Sequence, residues 1–557
     1  MKFLTPSEAP SILKKHFLAP TLPLVIELNH EARQGAEPQV MAIASTNDVF
    51  VLDFRANRVL LRNLISHSRI LAAFRAKELH KALARFLKAT PERWACIALS
   101  HQLLTDTTPA PTTLVTVTNH FGLPIPPDPS KGFEALAAQA TLVSLVLSAQ
   151  IPAIKKRSLT MVSRLEAAAI PSIANMELAG LPFNAKQWAS DIGVMQTAQS
   201  DDLSRLTGPH NSTFLREILH QPTLKPLLNS TFLQKKIAAV GYQARTLRIT
   251  DLRAFPSETT HLLADILERA RLLASYGAKL IKHTSPDSRV RTTYEQIGAS
   301  TGRVSSTAPN LQSIPAHVAL RNCFHTTPER SFVIADYSMC ELRILAELSC
   351  DHNLRNSFEI GSDLHATIAS QLWGTHVTKD SNPHLRQQAK VINFGIAYGI
   401  TERGLAQRLG ISEQKASELM SNYFKTFPAV RAYLESAPKI ARLKGYCETI
   451  TGRKMALAKL SYDNPHSVNR YCRNMPIQGT SADIIKSALY NTQSALKTYP
   501  SAILCHCVHD EIIVECDRVD TDSVSALVKK AMEASGEKIM KDVEMVADVK
   551  VSSVWSK

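Results

Sequence analysis

The chain has 557 residues, of which 45% are hydrophobic and 20% are charged. A chain of this length can bury several cores without disulfides or structural metals, and this composition excludes a disordered polybasic tail protein. The 64 lysine and arginine residues exceed the 49 acidic residues by 15 charges. On a globular composition this excess indicates either a surface that faces a polyanion, first of all nucleic acid, or a soluble enzyme that is simply basic.

The cysteines and the apolar runs bear on the compartment. Nine cysteines, an odd number that mostly lies within apolar stretches, favour a reducing compartment over a disulfide framework. The N-terminus reaches Pro6 and Glu8 before any hydrophobic run, unlike a signal peptide. The most membrane-like segment, Ala135–Ile154, is interrupted by polar residues and Pro152, which predicts a buried helix followed by a break. We expect a soluble cytoplasmic protein of a bacterial cell or phage-infected host, with no membrane contact.

Hydrophobic periodicity divides the chain into segments of different type. The first 155 residues mix strand-like runs, Leu24–Leu28 and Val49–Phe54, with a helical pattern over Ile70–Leu87, which is typical of an α/β domain. The rest of the chain is predicted to be, in order, helical, strand-like, helical and hairpin-forming over residues 156–290, 291–350, 351–445 and 503–515.

Two acidic residues stand at the ends of apolar strand patterns. In Ser331–Ser349 an apolar run ends at Asp336 and a helix follows, and the turn of the 503–515 hairpin carries Asp510. Buried carboxylates are costly unless they are paired or metal-bound. Two of them therefore favour a shared Mg²⁺ site of the two-metal kind used in phosphoryl transfer. The alternative is a pair of ordinary acidic residues at turns.

The same hairpin contains three potential zinc ligands. Cys505, Cys507 and His509 alternate along the sequence and would share one face of a strand. Their spacing is not that of a zinc site and no fourth ligand is evident, so a strand that lines the acidic site explains them better.

The segment Arg386–Gly399 carries a stripe of side chains at a spacing of four. Two cations and two aromatic residues form it: Arg386, Lys390, Phe394 and Tyr398. Because each step of four drifts by only about 40° around a helix, all four share one face. Such a stripe can hold a triphosphate with its cations and stack on a base and sugar with its rings, and Pro383 fits the start of the helix. The alternative is a solvated basic turn that runs into core aromatic residues.

These three segments, in this order, resemble motifs A, B and C of family A DNA polymerases, the bacterial polymerase I class. Further segments resemble that family around and between the three motifs: Thr301–Pro315, Ser362–Ala369, Gly445–Lys454 and Arg470–Lys486. The resemblance covers about residues 160–557. It implies a multi-domain α/β chain, in which an exonuclease-like (ribonuclease H-like) α/β domain precedes the right-hand polymerase fold of palm, fingers and thumb.

The resemblance also places the expected domain boundaries. Residues 1–155 correspond to a degenerate 3′–5′ exonuclease-like domain and residues 156–557 to the polymerase domain. Within the latter we expect the thumb at about 170–290, the palm at about 291–350 and 446–557, and the fingers at about 351–445. The family's 5′-nuclease domain has no expected counterpart, since the chain begins directly in the region that precedes the polymerase.

Individual residues acquire expected roles from the resemblance. Asp336 and Asp510 resemble the two metal-binding aspartates, with the main-chain oxygen of Tyr337 assisting and Glu511 as an auxiliary acid; two Mg²⁺ ions are implied, for which Mn²⁺ can substitute. The incoming dNTP would be contacted by Arg386, Lys390, His365, Phe394, Tyr398 and Glu341. Among these, Lys390 resembles the proton donor to pyrophosphate and Glu341 the steric gate against a 2′-hydroxyl. The primer terminus and template would be contacted by Arg303, Arg470, Asn474, Gln478 and His509.

In that family the domain before the polymerase is a proofreading exonuclease that needs four carboxylates. Here the first motif has Glu27 and Asn29 where Asp-x-Glu is expected, and the next aspartates fall at Leu79 and Ala140. One glutamate cannot hold two Mg²⁺ ions. We therefore expect this domain to lack nuclease activity.

The sequence thus predicts a monomeric DNA-templated DNA polymerase that adds dNTPs to a primer without proofreading, in replication or repair. A processivity or replisome partner stays unidentified. One alternative is a non-catalytic DNA-binding replisome protein, which has no need for the acidic pair or for Lys390. The other is a single-subunit RNA polymerase, in which a gate at Glu341 would defeat the activity.

Overall fold

Two β-sheets, one in each half of the chain, organise the architecture of this computed structural model. Residues 2–96 contribute a six-stranded sheet and residues 330–552 a four-stranded sheet, with helices between and around them. The structure describes residues 2–5, 7–9, 24–29, 35–44, 48–67, 70–128, 132–207, 231–242, 247, 249–315, 318–359, 363–460 and 464–556.

The first sheet is built from short apolar strands and is flanked by helices. Its strands are β1 (Lys2–Leu4), β2 (Leu24–Leu28), β3 (Val40–Ala44), β4 (Val49–Asp53), β5 (Leu71–Ala73) and β6 (Trp94–Cys96). Their order is β1-β4-β3-β2-β5-β6; β3 is antiparallel to β2 and β4, and the other neighbours are parallel. The accompanying helices are α1 (Arg58–His67), α2 (Ala76–Phe86), α3 (Ile97–Thr105), α4 (Leu114–His120) and α5 (Phe133–Lys156).

One prediction in this part of the chain is wrong. The pattern over Ile70–Leu87 predicts a helix throughout, but Leu71–Ala73 forms β5 and the helix begins only at Ala76. All three β5 residues are buried. A short strand that is covered on both faces has no alternating pattern, so hydrophobic periodicity does not distinguish it from a buried helical turn.

Helix α5 is the apolar helix that the sequence predicts, but it does not break at Pro152. The proline removes one helical hydrogen bond near the C-terminal end, while Gln150 and Ile154 on either side of it stay buried. Among the described residues this is the one helix long and apolar enough to cross a membrane, and half of its most apolar window is buried inside the protein. It packs on β2, β3, β4 and β5, which is the position of a core helix.

Helices dominate the middle of the chain, as predicted. They are α6 (Thr160–Ala179), α7 (Ala185–Thr207), α8 (Thr231–Ala239), α9 (Ile249–Ala254) and α10 (Glu258–Ser275). α7 packs against α10, while α6 packs on α2 of the first half of the chain. Four short strands accompany these helices: β7 (Leu181–Pro182), β8 (Arg289–Val290), β9 (Thr293–Glu295) and β10 (Ser305–Thr307).

The remaining elements complete the second sheet and a helical segment inserted within it. They are, in chain order, α11 (Val318–Asn322), β11 (Arg330–Tyr337), α12 (Cys340–Ser349), α13 (His352–Glu359), α14 (Leu364–Trp373), α15 (Pro383–Ala397), α16 (Glu402–Leu409), α17 (Glu413–Thr426), α18 (Pro428–Lys444), β12 (Tyr446–Glu448), β13 (Lys454–Ala456), α19 (Pro465–Ala495), β14 (Ile503–Val508), β15 (Glu511–Asp517), α20 (Thr521–Glu537) and β16 (Ala547–Ser552). The predicted helical character of residues 351–445 is confirmed.

The second sheet has the order β14-β15-β11-β16 and is antiparallel throughout. Alternate residues of β11 face two different cores. Val333 and Ala335 pack into the cluster that includes α19 and α20, whereas Phe332 and Ile334 pack on the opposite side with Trp555. Both faces of the central strand are therefore covered, which fixes its register against its neighbours.

The predicted 503–515 hairpin is present, but its cysteines do not share a face. A β-bulge interrupts the pairing between Leu504 and His506, and a bulge shifts the alternation of side chains. Cys505 consequently packs in the cluster with Trp555, and Cys507 in the cluster around α19. Among the described residues no group of three or more potential ligands is placed to hold a metal ion.

A buried group of four charges joins distant parts of the chain. Arg453 donates to Asp483 at 2.6 Å, and Lys486 donates to Glu166 at 2.6 Å; Arg453 also contacts Glu166, and all four residues are at most 3% exposed. The charges balance, which makes their burial tolerable. Lys486 also donates to the main-chain oxygen of Gly302 at 2.6 Å. This ionic cluster thus ties α6, α19, the loop after β12 and the Gly302 turn together.

We expect Glu166→Gln to destabilise the protein by about 3–5 kcal/mol. The substitution leaves the two buried cations, Arg453 and Lys486, with only one buried acid between them. Chemical denaturation of the full chain measures this effect. Glu435→Gln removes the acid of an exposed pair with Arg431 and should leave the unfolding midpoint nearly unchanged. Equal midpoints for the two variants would contradict the assigned importance of the cluster.

Candidate active site

The two predicted metal-binding aspartates lie side by side at one end of the second sheet. Asp336 is the penultimate residue of β11 and pairs with Glu511, the first residue of β15. Asp510 lies in the two-residue turn before β15, and its main-chain oxygen accepts a hydrogen bond from the Tyr337 N–H at 3.3 Å. Both aspartates are partly exposed. Strand pairing therefore brings together two carboxylates that are 174 positions apart in the sequence.

The side chains of the two neighbours, Tyr337 and Glu511, each have a hydrogen-bond partner outside the aspartate pair. The Tyr337 hydroxyl donates to the main-chain oxygen of Met532 at 2.6 Å and is buried against the helices, so only its main chain faces the pair. Glu511 is 3% exposed, and its carboxylate accepts a hydrogen bond from the Trp555 indole at 3.0 Å. The Glu511 carboxylate thus contacts the C-terminal segment, and its role as an auxiliary acid stays a prediction.

The four-residue stripe lies on α15 and borders a large cleft. Pro383 is the first residue of the helix, as predicted, and Tyr398 caps its end. The cleft has a volume of about 1210 Å³, and its lining includes Lys390, Phe394 and Tyr398 from the stripe. Lys390 is exposed at the cleft, whereas both aromatic rings are half-buried. Arg253 of α9 also lines the cleft.

A buried acid links this stripe to the turn after β9. Glu341, the second residue of α12, is 5% exposed and forms an ion pair with Arg303. The Tyr398 hydroxyl lies near the same carboxylate; burial first, and then the charge of Glu341, raise the pKa of Tyr398 above its usual value. Tyr398 is consequently neutral where it lines the cleft. The guanidinium of Arg303, which is predicted to contact DNA, is paired with Glu341 in this structure.

The start of α14 explains the position of Arg386. Asp363 caps this helix by accepting the Ala366 N–H at 3.1 Å, and it also binds the Arg386 guanidinium. Burial opposes ionisation of Asp363, but the bonds from Arg386 and Ala366 lower its pKa below the usual value. Arg386 is therefore held by Asp363 at the edge of the stripe, rather than lining the cleft with Lys390.

His365, which the resemblance implies as a triphosphate ligand, lies in the interior beside α15. It is 3% exposed, and its Nδ1 lies 2.9 Å from the side-chain amide of Asn393. Burial, and then the nearby positive charge of Arg386, lower the pKa of His365 to about 4. A neutral, buried imidazole packs behind Phe394 at 5.7 Å between ring centroids. The helical pattern of α14 turns His365 inward, and its contact with a triphosphate stays a prediction.

The predicted DNA-contacting residues of α19 follow one face of that helix. Arg470 and Asn474 line the same cleft as Lys390, and Asn474 donates to the main-chain oxygen of Tyr398 at 3.3 Å. Gln478, one turn further, is half-buried. His509 is exposed in the turn beside Asp510 with a φ of 54°. Arg470, Asn474 and three residues of the stripe therefore share one cleft, and the negative charge of Asp510 lies close enough to Tyr398 to help raise its pKa.

Two residues of this site were missed by the sequence analysis. Asp363 had a signal, since an acidic residue directly before a helix is a typical N-cap. Trp555 had none, because nothing in a C-terminal tryptophan indicates that it binds an acid 44 residues earlier.

Comparison with known proteins identifies the family. Residues 210–557 match the family model described as DNA polymerase family A. A DNA polymerase I from Caldicellulosiruptor bescii is 36% identical over 310 residues, which are 54% of this chain and 36% of that protein. A DNA polymerase I from Lactococcus lactis subsp. lactis is 30% identical over 450 residues, or 77% of this chain and 50% of that protein. The chain thus spans between about a third and a half of these relatives.

A solved structure extends the match to the whole chain. The POL domain of Pol1 from M. smegmatis, in complex with DNA primer-template and dNTP, superposes with a TM-score of 0.82 at 26% identity. The alignment covers 100% of this chain and 99% of that one, so the first sheet and its helices are part of the shared architecture. The predicted right-hand polymerase fold is confirmed. The chain belongs to DNA polymerase family A.

Proposed function

We propose that this chain is a DNA-templated DNA polymerase that adds dNTPs to a primer 3′-OH during replication or repair. The observation that carries the proposal is the cross-strand placement of Asp336 beside Asp510, together with a cleft lined by Lys390, Phe394 and Tyr398, of which Tyr398 lies within reach of the Asp510 charge. The primer-template DNA and dNTP named for the M. smegmatis structure support the choice of partners. Its relatives are bacterial, which supports an enzyme of the bacterial cytoplasm, and we expect it to be monomeric.

The residues at the sheet end fit a divalent metal centre. Carboxylate oxygens are hard ligands, and Mg²⁺ is commonly held by one or two carboxylates together with substrate phosphates. Asp336 and Asp510 supply such a pair, because strand β11 lies next to the turn that precedes β15. We infer that they hold two Mg²⁺ ions, for which Mn²⁺ can substitute, assisted by the Tyr337 main-chain oxygen. When bound, the ions activate the 3′-OH and neutralise charge on the triphosphate.

The α15 stripe has the chemistry to orient the nucleotide. Lys390 is the exposed cation of the stripe at the cleft and is placed to bind the triphosphate and to give a proton to departing pyrophosphate. Phe394 presents a ring to the sugar, and Tyr398 closes the cleft beside the new base pair. Arg386 adds a second cation if its contact with Asp363 gives way to phosphate, which can accept two parallel hydrogen bonds from a guanidinium.

We predict that Asp336→Ala and Asp510→Ala abolish primer extension while leaving duplex binding nearly intact, because binding rests mainly on phosphate contacts from lysine and arginine. Asp517→Ala, at the opposite end of β15, is the control and should extend normally. Extension assays with and without Mg²⁺, with dNTPs against rNTPs, measure this. Extension by either active-site variant would overturn the metal assignment, and a wild type that binds but never extends would favour a non-catalytic DNA-binding protein.

The buried position of Glu341 supports a steric gate. We predict that Glu341→Ala raises rNTP incorporation relative to dNTP, because it removes volume where a 2′-hydroxyl would lie. Glu341→Gln keeps that volume but loses the charge that pairs with Arg303, so it should slow extension while retaining discrimination. Competition between rNTP and dNTP measures the ratio. Equal loss of discrimination in both variants would show that charge, and not size, excludes ribose.

We also propose that the N-terminal domain lacks exonuclease activity. Glu27 is fully buried and accepts the Phe74 N–H at 2.9 Å, while Asn29 accepts the Gln39 N–H at 3.0 Å. Leu79 and Ala140 are fully buried in apolar surroundings. These four positions, where the family's metal-binding acids are expected, are engaged in folding contacts.

We predict no shortening of a labelled single strand by the purified protein without dNTPs, even at high Mg²⁺ or Mn²⁺, because two divalent ions need more carboxylates than these positions offer. We expect the domain to be retained because it packs on the rest of the chain. One such contact is the hydrogen bond that Lys77 of α2 donates to Glu177 of α6 at 2.7 Å. Metal-dependent shortening that survives Asp336→Ala would show that the nuclease works.

A further inference from the structure

We propose that Trp555 is a positioning residue for the acidic turn between β14 and β15: its indole holds the Glu511 carboxylate and thereby fixes the backbone that carries Asp510. This inference rests on the proposed function, since it concerns the same metal-binding aspartates. Trp555 lies beyond the last strand of the sheet, in the C-terminal segment.

The contact is direct and fully enclosed. The Trp555 Nε1–H donates to Oε1 of Glu511 at 3.0 Å, and the two residues are 0% and 3% exposed. Glu511 follows Asp510 in the chain and pairs across the strand with Asp336. A displacement of Glu511 would therefore move Asp510 through the peptide bond that joins them, and Asp336 through the strand pairing.

The surroundings show why the carboxylate stays at this place. The Arg321 guanidinium lies 4.2 Å from the centre of the Trp555 ring, and the charge of Glu511 acts favourably on it, against the burial that lowers the Arg321 pKa. Arg321 itself donates to the main-chain oxygens of Ile314 and Pro315. The indole is thus held between a fixed cation on its face and an acid at its N–H.

The C-terminal segment has anchors of its own. The Trp555 main-chain N–H donates to the Phe324 oxygen at 2.9 Å, and Val554 forms a β-bridge with His325. The rings of His506 and Phe324 meet the indole edge-on at 5.3 and 5.4 Å. These contacts place the ring without any help from Glu511, so the hydrogen bond orients the acid rather than the tryptophan.

The test is Trp555→Phe, which retains an aromatic ring against its neighbours but removes the N–H donor together with part of the buried ring volume. We expect the Mg²⁺ concentration for half-maximal extension to rise by about 10–100-fold, as for other residues that orient metal ligands, with the affinity for primer-template unchanged. A second readout is Mn²⁺ binding, followed by electron paramagnetic resonance, to a ternary complex with a chain-terminated primer and dNTP. Its dissociation constant should rise in parallel.

Trp188→Phe is the matched control. Trp188 is equally buried, and its indole donates to the main-chain oxygen of Gly277 at 2.8 Å, far along the chain from the aspartates. It should lower thermal stability to a similar degree without changing the metal requirement. If Trp555→Phe and Trp188→Phe both keep the wild-type Mn²⁺ affinity, Trp555 is a packing residue and the inference is wrong.

A second variant covers the case in which Trp555→Phe does not fold. Glu511→Gln keeps an oxygen that can accept the indole N–H, so a positioning role predicts a smaller shift in Mn²⁺ affinity than Glu511→Ala produces. Equal shifts for the two variants would make Glu511 a direct ligand and overturn the inference. Failure of the wild type to extend primers would instead reject the proposed function, which keeps the two failures distinguishable.

Discussion

The antiparallel pairing of β11 with β15 is the constraint on which the rest of the site depends. Their register places Asp336 opposite Glu511 and therefore beside Asp510. Because both faces of β11 are covered by apolar clusters, a shift of one residue would bury the wrong side chains and turn Asp336 to the other face. The geometry of the acidic pair is thus a consequence of core packing, and β16 on the other edge of β11 reinforces it.

The buried ionic cluster fixes a second part of the site, the turn that carries Gly302 and Arg303. Lys486 reaches the Gly302 oxygen, and the next residue, Arg303, pairs with Glu341 and so bears on Tyr398. Gly479 lets α19 approach closely, since a Cβ there would lie 2.5 Å from Thr449 and 3.0 Å from the Thr301 oxygen. Charge burial and close backbone packing therefore fix the position of α19 relative to Glu341.

Local patterns in the sequence predicted much of this arrangement. The acid at the end of an apolar run, the spacing of four along α15 and the proline at its start each have a local physical cause, and the resemblance to family A polymerases supplied the roles. The contacts of Glu166 with residues about 300 positions away and of Trp555 with Glu511 have no local signal. The strand at Leu71–Ala73, the bulge beside Cys505 and the inward turn of His365 also depend on tertiary packing, which periodicity does not report.

The central claim is that Asp336 and Asp510 together form the metal centre of the enzyme. The most direct test is a crystal structure of the full chain with a chain-terminated primer-template, a matching dNTP and Mn²⁺, located by anomalous scattering. The account predicts Mn²⁺ bound between these two carboxylates and the triphosphate, with Trp555 still on Glu511. Mn²⁺ bound elsewhere, or a triphosphate held without contact to either aspartate, would contradict it.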